Sequence, residues 1–337
     1  MKKIIANLLT DTHLKEENSE IVISVFKQSI DYVKENGFDV LFHLGDIFDS
    51  RRGQTVGNLN NFLYILDYAL EVGVKIVIIP GNHDKVFYGE EDSFLNPFTH
   101  HPAYTLIKSY YQLQLTENIV VHFLPYFLDQ VYNQYLQNVI FSDKQDILFT
   151  HIGITGARMN NGVEVEGIKQ SSFQGFEKVY IGHYHDKQIF GKFNYIGSSI
   201  QHNFGETPEK GLTLLYDDLS FSTHELDFPH YIKIDIDVDR IGVNEIRELQ
   251  EESQSSNDFL KVVLCGSEEK VKSFDKTQLL SSGITVQLKV DNILKKEVDE
   301  RVEPFTSISL LSEFSKFCKK NELQEENGIV YLNKILK

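Results

Sequence analysis

Short apolar runs alternate with helical patterns along the first 181 residues, and this alternation constrains the fold more than any other feature. Six runs have the length and apolar content of buried strands: residues 4–9, 40–44, 74–79, 119–124, 147–150 and 178–181. Between the first two runs, one apolar helix face recurs at spacings of three and four: Ile23, Phe26, Ile30 and Val33. Strand–helix–strand repetition predicts an α/β fold with a largely parallel sheet covered by helices.

The pattern changes after residue 190. Shorter runs at 193–196, 211–216 and 220–226 predict a second, more antiparallel layer. Phe228-Pro229-His230 marks a boundary, after which a strictly alternating strand begins a smaller unit of predicted order β-α-β-α-β. The predicted domains are residues 1–228, a capping domain at 229–295 and a C-terminal helical segment at 296–337. That last segment either packs on its own domain or docks on a partner.

Composition excludes several classes of protein. Cys265 and Cys318 lie far apart without metal-ligand spacing, so we expect no disulfide framework and a reducing, cytoplasmic compartment. No run approaches the roughly 18–20 apolar residues of a membrane span. The net charge of −16 argues against broad attraction to nucleic acid. A nucleic-acid substrate stays open, because metal ions or a partner subunit can supply positive charge locally.

Polar motifs follow the predicted strands where each one ends. In chain order they are Asp11-Thr12-His13, Gly45-Asp46-Ile47-Phe48-Asp49, Gly81-Asn82-His83-Asp84, His151 and Gly182-His183-Tyr184-His185. Loops at the carboxyl ends of parallel strands meet at one edge, and Asp, Asn and His suit manganese, iron or zinc. A carboxylate placed like that of Asp46 can offer one oxygen to each of two metal ions about 3.5–4 Å apart. Each motif alone is common in surface loops, but their joint occurrence predicts a two-metal site.

This set of motifs resembles the pattern of the calcineurin-like metallophosphoesterases, D-x-H, G-D-x-x-D, G-N-H-D/E, a later H and G-H-x-H. The resemblance implies a four-layer α-β-β-α sandwich. It also implies one metal held by Asp11, His13, Asp46 and His185, and another held by Asp46, Asn82, His151 and His183. His83 is then expected to act as the general acid beside the phosphate, with Asp84 orienting its imidazole.

Within that superfamily the chain resembles the SbcD and Mre-type DNA repair nucleases, and its compact length favours the form found in T4-like phages. The resemblance rests on Gly-Asp-Ile-Phe-Asp, on residues 195–199, on Phe204-Gly205-Glu206, on Lys210-Gly211 and on the order of cap and tail. It implies a manganese-dependent (or magnesium-dependent) exonuclease or endonuclease acting on double-stranded DNA ends in recombination, replication and repair. A homodimer and an SbcC-type ATPase partner, docked on the tail, are implied as well. For a phage-encoded chain the compartment is the host cytoplasm.

Candidate substrate contacts lie next to the metal-binding loops. Arg51, Arg52 and Lys85 are the cations nearest those loops in sequence, and His202 lies in the segment shared with the nucleases. Each of the three cations is equally compatible with solvated surface charge. Two other functions stay open: a phosphoesterase for small molecules or phosphoproteins, and a non-catalytic scaffold that binds DNA ends.

Overall fold

The computed structural model of the protein describes residues 2–290, except residues 160, 161, 239, 241 and 242. A first six-stranded sheet has the spatial order β12-β11-β1-β2-β3-β4. Its strands are β1 (Ile4–Leu9), β2 (Val40–His43), β3 (Lys75–Ile78), β4 (Tyr104–Leu106), β11 (Leu212–Tyr216) and β12 (Phe221–His224). Strands β1 to β4 are parallel, and β11 and β12 extend the sheet in antiparallel fashion beside β1.

A second six-stranded sheet has the spatial order β5-β6-β7-β8-β10-β9. Its strands are β5 (Tyr111–Gln114), β6 (Ile119–Leu124), β7 (Gln145–His151), β8 (Lys178–Gly182), β9 (Gln188–Phe190) and β10 (Phe193–Tyr195). Strands β6, β7, β8 and β10 are parallel, and the edge strands β5 and β9 are antiparallel.

Three apolar cores stack these elements into layers. Helices α1 (Ser19–Glu35) and α2 (Val56–Val72) cover the outer face of the first sheet, where Phe26 and Phe62 are fully buried. Between the sheets, the Phe42 ring lies 5.7 Å from the rings of both Phe123 and Phe149. Helix α3 (Asp129–Gln137) covers the outer face of the second sheet through the buried Tyr132. The predicted α/β sandwich is confirmed.

The sequence was misleading about residues 193–226. These residues do not form a separate antiparallel layer, because β10 joins the second sheet and β11 and β12 join the first. Without these strands, β1 and β8 would be sheet edges with unpaired backbone groups. Strand β11 pairs with β1, and strand β10 pairs with β8.

A three-stranded parallel sheet follows, in the order β13-β14-β15. It consists of β13 (Tyr231–Asp237), α4 (Val243–Ser255), β14 (Phe259–Gly266), α5 (Glu268–Ser273), α6 (Thr277–Ser281) and β15 (Thr285–Val290). The order matches the predicted unit, except that the second helix is broken into two short ones. This unit has a separate apolar core, to which Leu249, Leu260 and Leu279 belong. The domain boundaries stay a prediction, and the predicted segment 296–337 lies outside the described residues.

Within the part of the chain that the structure describes, no helix has both the length and the apolar character needed to cross a bilayer.

Candidate metal centre

The loops after β1, β2, β3 and β8 meet the end of β7 at the carboxyl edge of both sheets. They bring together every residue predicted as a metal ligand: Asp11, His13, Asp46, Asn82, His151, His183 and His185. Glycines let the loops lie this close together, because a Cβ on Gly81 would lie only 2.1 Å from Asp46 Oδ1. A Cβ on Gly45 would lie 2.7 Å from His151 Nδ1.

One group of side chains surrounds His13 Nε2. This atom lies 3.1 Å from His185 Nε2, 3.8 Å from Asp11 Oδ1 and 3.8 Å from Asp46 Oδ2. Asp11 Oδ1 is also 4.0 Å from His185 Nε2. The four side chains are the set that the family resemblance assigned to the first metal.

A second group lies on the other side of Asp46. Asp46 Oδ2 is 3.2 Å from His151 Nε2, and Asn82 Oδ1 is 3.2 Å from the same nitrogen. Asn82 Oδ1 is in turn 2.8 Å from His183 Nδ1. These are the residues assigned to the second metal, so the two groups meet at the Asp46 carboxylate.

The backbone is strained at these residues. Asp11, His13, Asp46 and His183 have φ values of 50°, 45°, 57° and 93°. Among the described residues other than glycine, Leu219 alone shares such a positive φ. Each conformation of this kind costs about 1–3 kcal/mol and persists where the surrounding structure imposes it, often at a functional site. Four of the predicted ligands are therefore held in orientations that an unconstrained loop would avoid.

The histidines of the centre do not share one protonation state. At His151 the carboxylates of Asp46 and Asp11 outweigh burial and raise the pKa to about 9, so a metal bound there would displace a proton. Burial lowers the pKa of His13 well below its usual value and that of His183 to about 3, so both imidazoles are neutral and carry a free lone pair. Burial raises the pKa of the Asp46 carboxyl, but the neighbouring histidines, His151 foremost, together outweigh it and the net pKa is low. Among the described residues, the buried His13 Nδ1 has no hydrogen-bond partner. Oxygen and nitrogen donors, buried together around one shared carboxylate, fit a pair of divalent cations.

His83 lies at the more open side of this centre. Its Nδ1–H donates to the carbonyl oxygen of Asp49, and its Nε2 accepts a hydrogen bond from the Arg51 guanidinium at 2.7 Å. Its backbone N–H donates to Asp46 Oδ1 at 2.7 Å. The His83 imidazole is thus oriented by a main-chain carbonyl, with Nε2 directed to an exposed arginine.

Asp84 has a different role from the one predicted. Its carboxylate accepts hydrogen bonds from the backbone N–H groups of Asp46, Phe48 and Gly81, at 2.9, 3.1 and 2.9 Å. It therefore ties together the two loops that carry Asp46 and Asn82, rather than orienting the His83 imidazole. The sequence could not indicate this, because two of the three donors lie more than 35 residues away.

Lys85 is also placed differently from the prediction. The side chain is fully buried, and Nζ donates to the carbonyl oxygens of Glu90 and Tyr126, each at 2.8 Å. Nζ lies 3.7 Å from the centre of the Phe127 ring. The ammonium group therefore fastens two loops together from within, which contradicts a contact with substrate phosphate.

Replacing Lys85 with alanine is expected to lower the free energy of unfolding by about 2–4 kcal/mol, because two carbonyls lose their donor. The KM for a phosphodiester substrate is expected to stay within about twofold of wild type. Denaturant unfolding and steady-state kinetics measure the two effects, with the exposed Lys169→Ala as control. Unchanged stability together with a large rise in KM would restore the predicted substrate contact.

The remaining predicted contacts differ in position. Arg51 and Arg52 are exposed, and Arg51 reaches His83 as described. His202 Nε2–H donates to the carbonyl oxygen of Asp11 at 2.8 Å. The His202 ring lies 5.0 Å from that of His13 and 4.7 Å from that of His185. His202 thus forms a wall of the first ligand group and fixes the loop that bears Asp11.

Sequence reasoning missed two buried residues at this wall, Glu206 and Lys210. The Glu206 carboxylate accepts a hydrogen bond from His185 Nδ1–H, and Lys210 Nζ donates to the His185 carbonyl oxygen. Both residues stood in the segment that carried the closer family resemblance, but nothing in the sequence showed that they contact His185.

The fold and the site define a two-sheet α/β protein with a candidate dinuclear metal centre at the carboxyl edge of its sheets. The chain belongs to the calcineurin-like phosphoesterase family, whose model matches residues 7–224. That range contains every predicted metal ligand. The chain is therefore a phosphoesterase-family hydrolase whose fold implies divalent metal ions.

Two of the proteins similar to this chain come from viruses. The chain is 25% identical over 290 residues to the "Putative phosphoesterase 244L" of Invertebrate iridescent virus 6, covering 80% of this chain and 96% of that protein. It is 22% identical over 186 residues to exonuclease subunit 1 of Enterobacteria phage T4, covering 53% of this chain and 52% of that protein. A dimetal phosphatase from Danio rerio aligns with a TM-score of 0.41 at 10% identity, over 64% of this chain and 93% of that one.

Proposed function

We propose that this protein is a two-metal phosphodiesterase that cleaves DNA at double-stranded ends. The observation that carries the proposal is the pair of ligand groups that meet at Asp46, with His83 and Arg51 on the open side. A metal pair bound there supplies an activated water and neutralises charge that develops on the phosphate. Asp11, His13, Asp46 and His185 would hold one ion; Asp46, Asn82, His151 and His183 would hold the other.

His83 and Arg51 have separate roles in this proposal: His83 protonates the leaving group and Arg51 binds the phosphate. His83 Nε2 hands a proton to the leaving oxygen, while the hydrogen bond from Nδ1–H to the Asp49 carbonyl keeps the ring in place. The Arg51 guanidinium donates a hydrogen bond to Nε2. A phosphate group attracts the guanidinium strongly, so substrate binding draws Arg51 away from Nε2. Nε2 then takes up a proton from solvent, and this is the proton that it transfers to the leaving oxygen.

DNA as the substrate is supported by two observations. A relative of this chain bears the name exonuclease subunit 1, and residues 195–211 resemble the corresponding segment of the SbcD and Mre-type nucleases. From that resemblance we extend the proposal to manganese as the metal, a homodimer and an SbcC-type ATPase partner. A partner surface would also supply the basic charge that a chain of net charge −16 lacks.

An assay on linear duplex DNA with Mn²⁺ tests this proposal, with bis-p-nitrophenyl phosphate assayed in parallel. We expect the wild type to hydrolyse both substrates. If the chain alone cleaves DNA slowly, the DNA assay is repeated with the ATPase subunit present. The Asp46→Ala variant serves as the inactive control. Hydrolysis of neither substrate, even with the ATPase present, would leave the non-catalytic scaffold as the better description.

A phosphoesterase for small molecules is the second candidate. The net charge of −16 and the burial of Lys85 favour it, because both reduce the positive surface available to a polyanion. Hydrolysis of bis-p-nitrophenyl phosphate without any cleavage of DNA, whether or not the ATPase is present, would establish this alternative.

Metal loading is expected to stabilise the fold. Mn²⁺ at about 100 times its dissociation constant contributes about 2.7 kcal/mol for each bound ion. For a chain of this size, this corresponds to a rise in Tm of about 4 °C for one ion and about 8 °C for two. Thermal unfolding of chelator-treated protein, with and without added Mn²⁺, measures the effect. The Asp46→Ala variant is expected to show little or no rise, and a wild type that does not respond would contradict the metal site.

A further inference from the structure

A buried carboxylate lies behind one of the candidate ligands. Glu206 is 6% exposed, and its Oε1 accepts a hydrogen bond from His185 Nδ1–H at 2.9 Å. The same oxygen accepts from the Asn203 amide, and Oε2 accepts from the backbone N–H of His202 at 3.1 Å. Both oxygens are therefore fixed, and Glu206 cannot rotate away from the imidazole without leaving several donors unsatisfied.

The hydrogen bond from His185 selects one arrangement of the imidazole. An ionised carboxylate is an acceptor only, so His185 must present Nδ1–H to it. That leaves Nε2 as the atom directed into the centre, where it lies 3.1 Å from His13 Nε2 and 4.0 Å from Asp11 Oδ1. Glu206 thus sets both the tautomer and the direction of the lone pair that a metal would use.

Lys210 holds the backbone of the same histidine. It is 3% exposed, and its Nζ donates to the His185 carbonyl oxygen and to Asp186 Oδ1, the latter at 3.2 Å. Nζ also lies 3.5 Å from Glu206 Oε2, so a cation balances the buried carboxylate. One short segment of chain, 21 to 25 residues after His185, therefore holds that residue in place. Glu206 binds its side chain and Lys210 binds its main chain.

We propose that Glu206 is the positioning residue for His185 and sets the affinity of the first metal site. The proposal rests on the proposed function, because it requires that the site bind a divalent metal. Carboxylates that orient metal-ligating histidines typically contribute 10–100-fold to metal affinity. Glu206 touches neither substrate nor metal and acts through the imidazole of His185.

Calorimetric titration of the full chain with Mn²⁺ tests the assignment through binding rather than turnover. We expect Glu206→Ala to weaken the binding step that His185→Ala also weakens, by about 10–100-fold. The exposed Glu209, which pairs with Lys187 at 2.6 Å, gives the matched control. Glu209→Ala is expected to bind Mn²⁺ like the wild type.

A double-mutant cycle separates positioning from a general structural effect. In the His185→Ala background, Glu206→Ala is expected to change Mn²⁺ affinity by less than about twofold, since no imidazole remains to be oriented. An equal loss in both backgrounds, or no loss in the wild-type background, would overturn the proposal. A wild type that binds no Mn²⁺ would refute the proposed function itself.

Should Glu206→Ala fail to fold, Glu206→Gln replaces it in the cycle. Glutamine keeps an oxygen that can accept from His185 Nδ1–H, but its amide nitrogen then faces the backbone N–H of His202. We expect an intermediate loss of Mn²⁺ affinity that again disappears in the His185→Ala background. A loss that persists in that background would count against positioning.

Discussion

Replacing Asp46 with alanine is expected to abolish high-affinity metal binding and to lower kcat/KM on the order of 10⁴-fold, because several kcal/mol of charge stabilisation are lost with the metals. The physical reason is the position of Asp46 between the two ligand groups. Its Oδ2 lies 3.8 Å from His13 Nε2 and 3.2 Å from His151 Nε2. A single substitution thus removes a ligand from both groups.

Mn²⁺ titration by calorimetry and hydrolysis of bis-p-nitrophenyl phosphate measure these two effects. Asp39→Ala is the matched control, since Asp39 is exposed, pairs with Lys34 and directly precedes β2, at the end of the strand opposite to the centre. Asp46→Asn tests charge separately, because asparagine keeps an oxygen that can accept the His83 backbone N–H. Two intact Mn²⁺ sites in Asp46→Ala would show that the carboxylate is not shared.

Replacing His83 with alanine is expected to lower kcat on DNA by about 10²–10⁴-fold while leaving Mn²⁺ affinity within about twofold of wild type. The imidazole is held at Nδ1 by the Asp49 carbonyl and presents Nε2 to the open side. Its loss removes a proton donor for a poor leaving group but no ligand from the sets described above.

The leaving group provides the sharpest control for His83. A nitrophenolate needs little protonation, whereas the alkoxide released from DNA needs a proton in the transition state. We therefore expect His83→Ala to lose far less activity on bis-p-nitrophenyl phosphate than on DNA. Equal losses on both substrates would point to a ligand role for His83, and full activity on DNA would refute the proposed acid.

The fold was largely predictable because its signals are local. Apolar runs and three-to-four spacing follow from the geometry of strands and helices, and the α/β architecture inferred from them is confirmed. The short edge strands β4, β5 and β9 were missed, because each has only two apolar or aromatic residues, too few to form a run. The pairing of β11 with β1 was missed as well, since its register joins residues more than 200 positions apart.

For the centre, the sequence by itself indicated which residues meet, because each motif lies at the carboxyl end of a strand. Those strands belong to two sheets, and the packing of one sheet on the other brings their carboxyl ends together. Their roles as metal ligands stay a prediction. Only the tertiary structure decided what surrounds them. Asp84 ties loops, Lys85 points inward and Glu206 holds His185, as their hydrogen bonds show. A hydrogen bond depends on distances between segments remote in sequence, and no pattern of neighbouring residues encodes those distances.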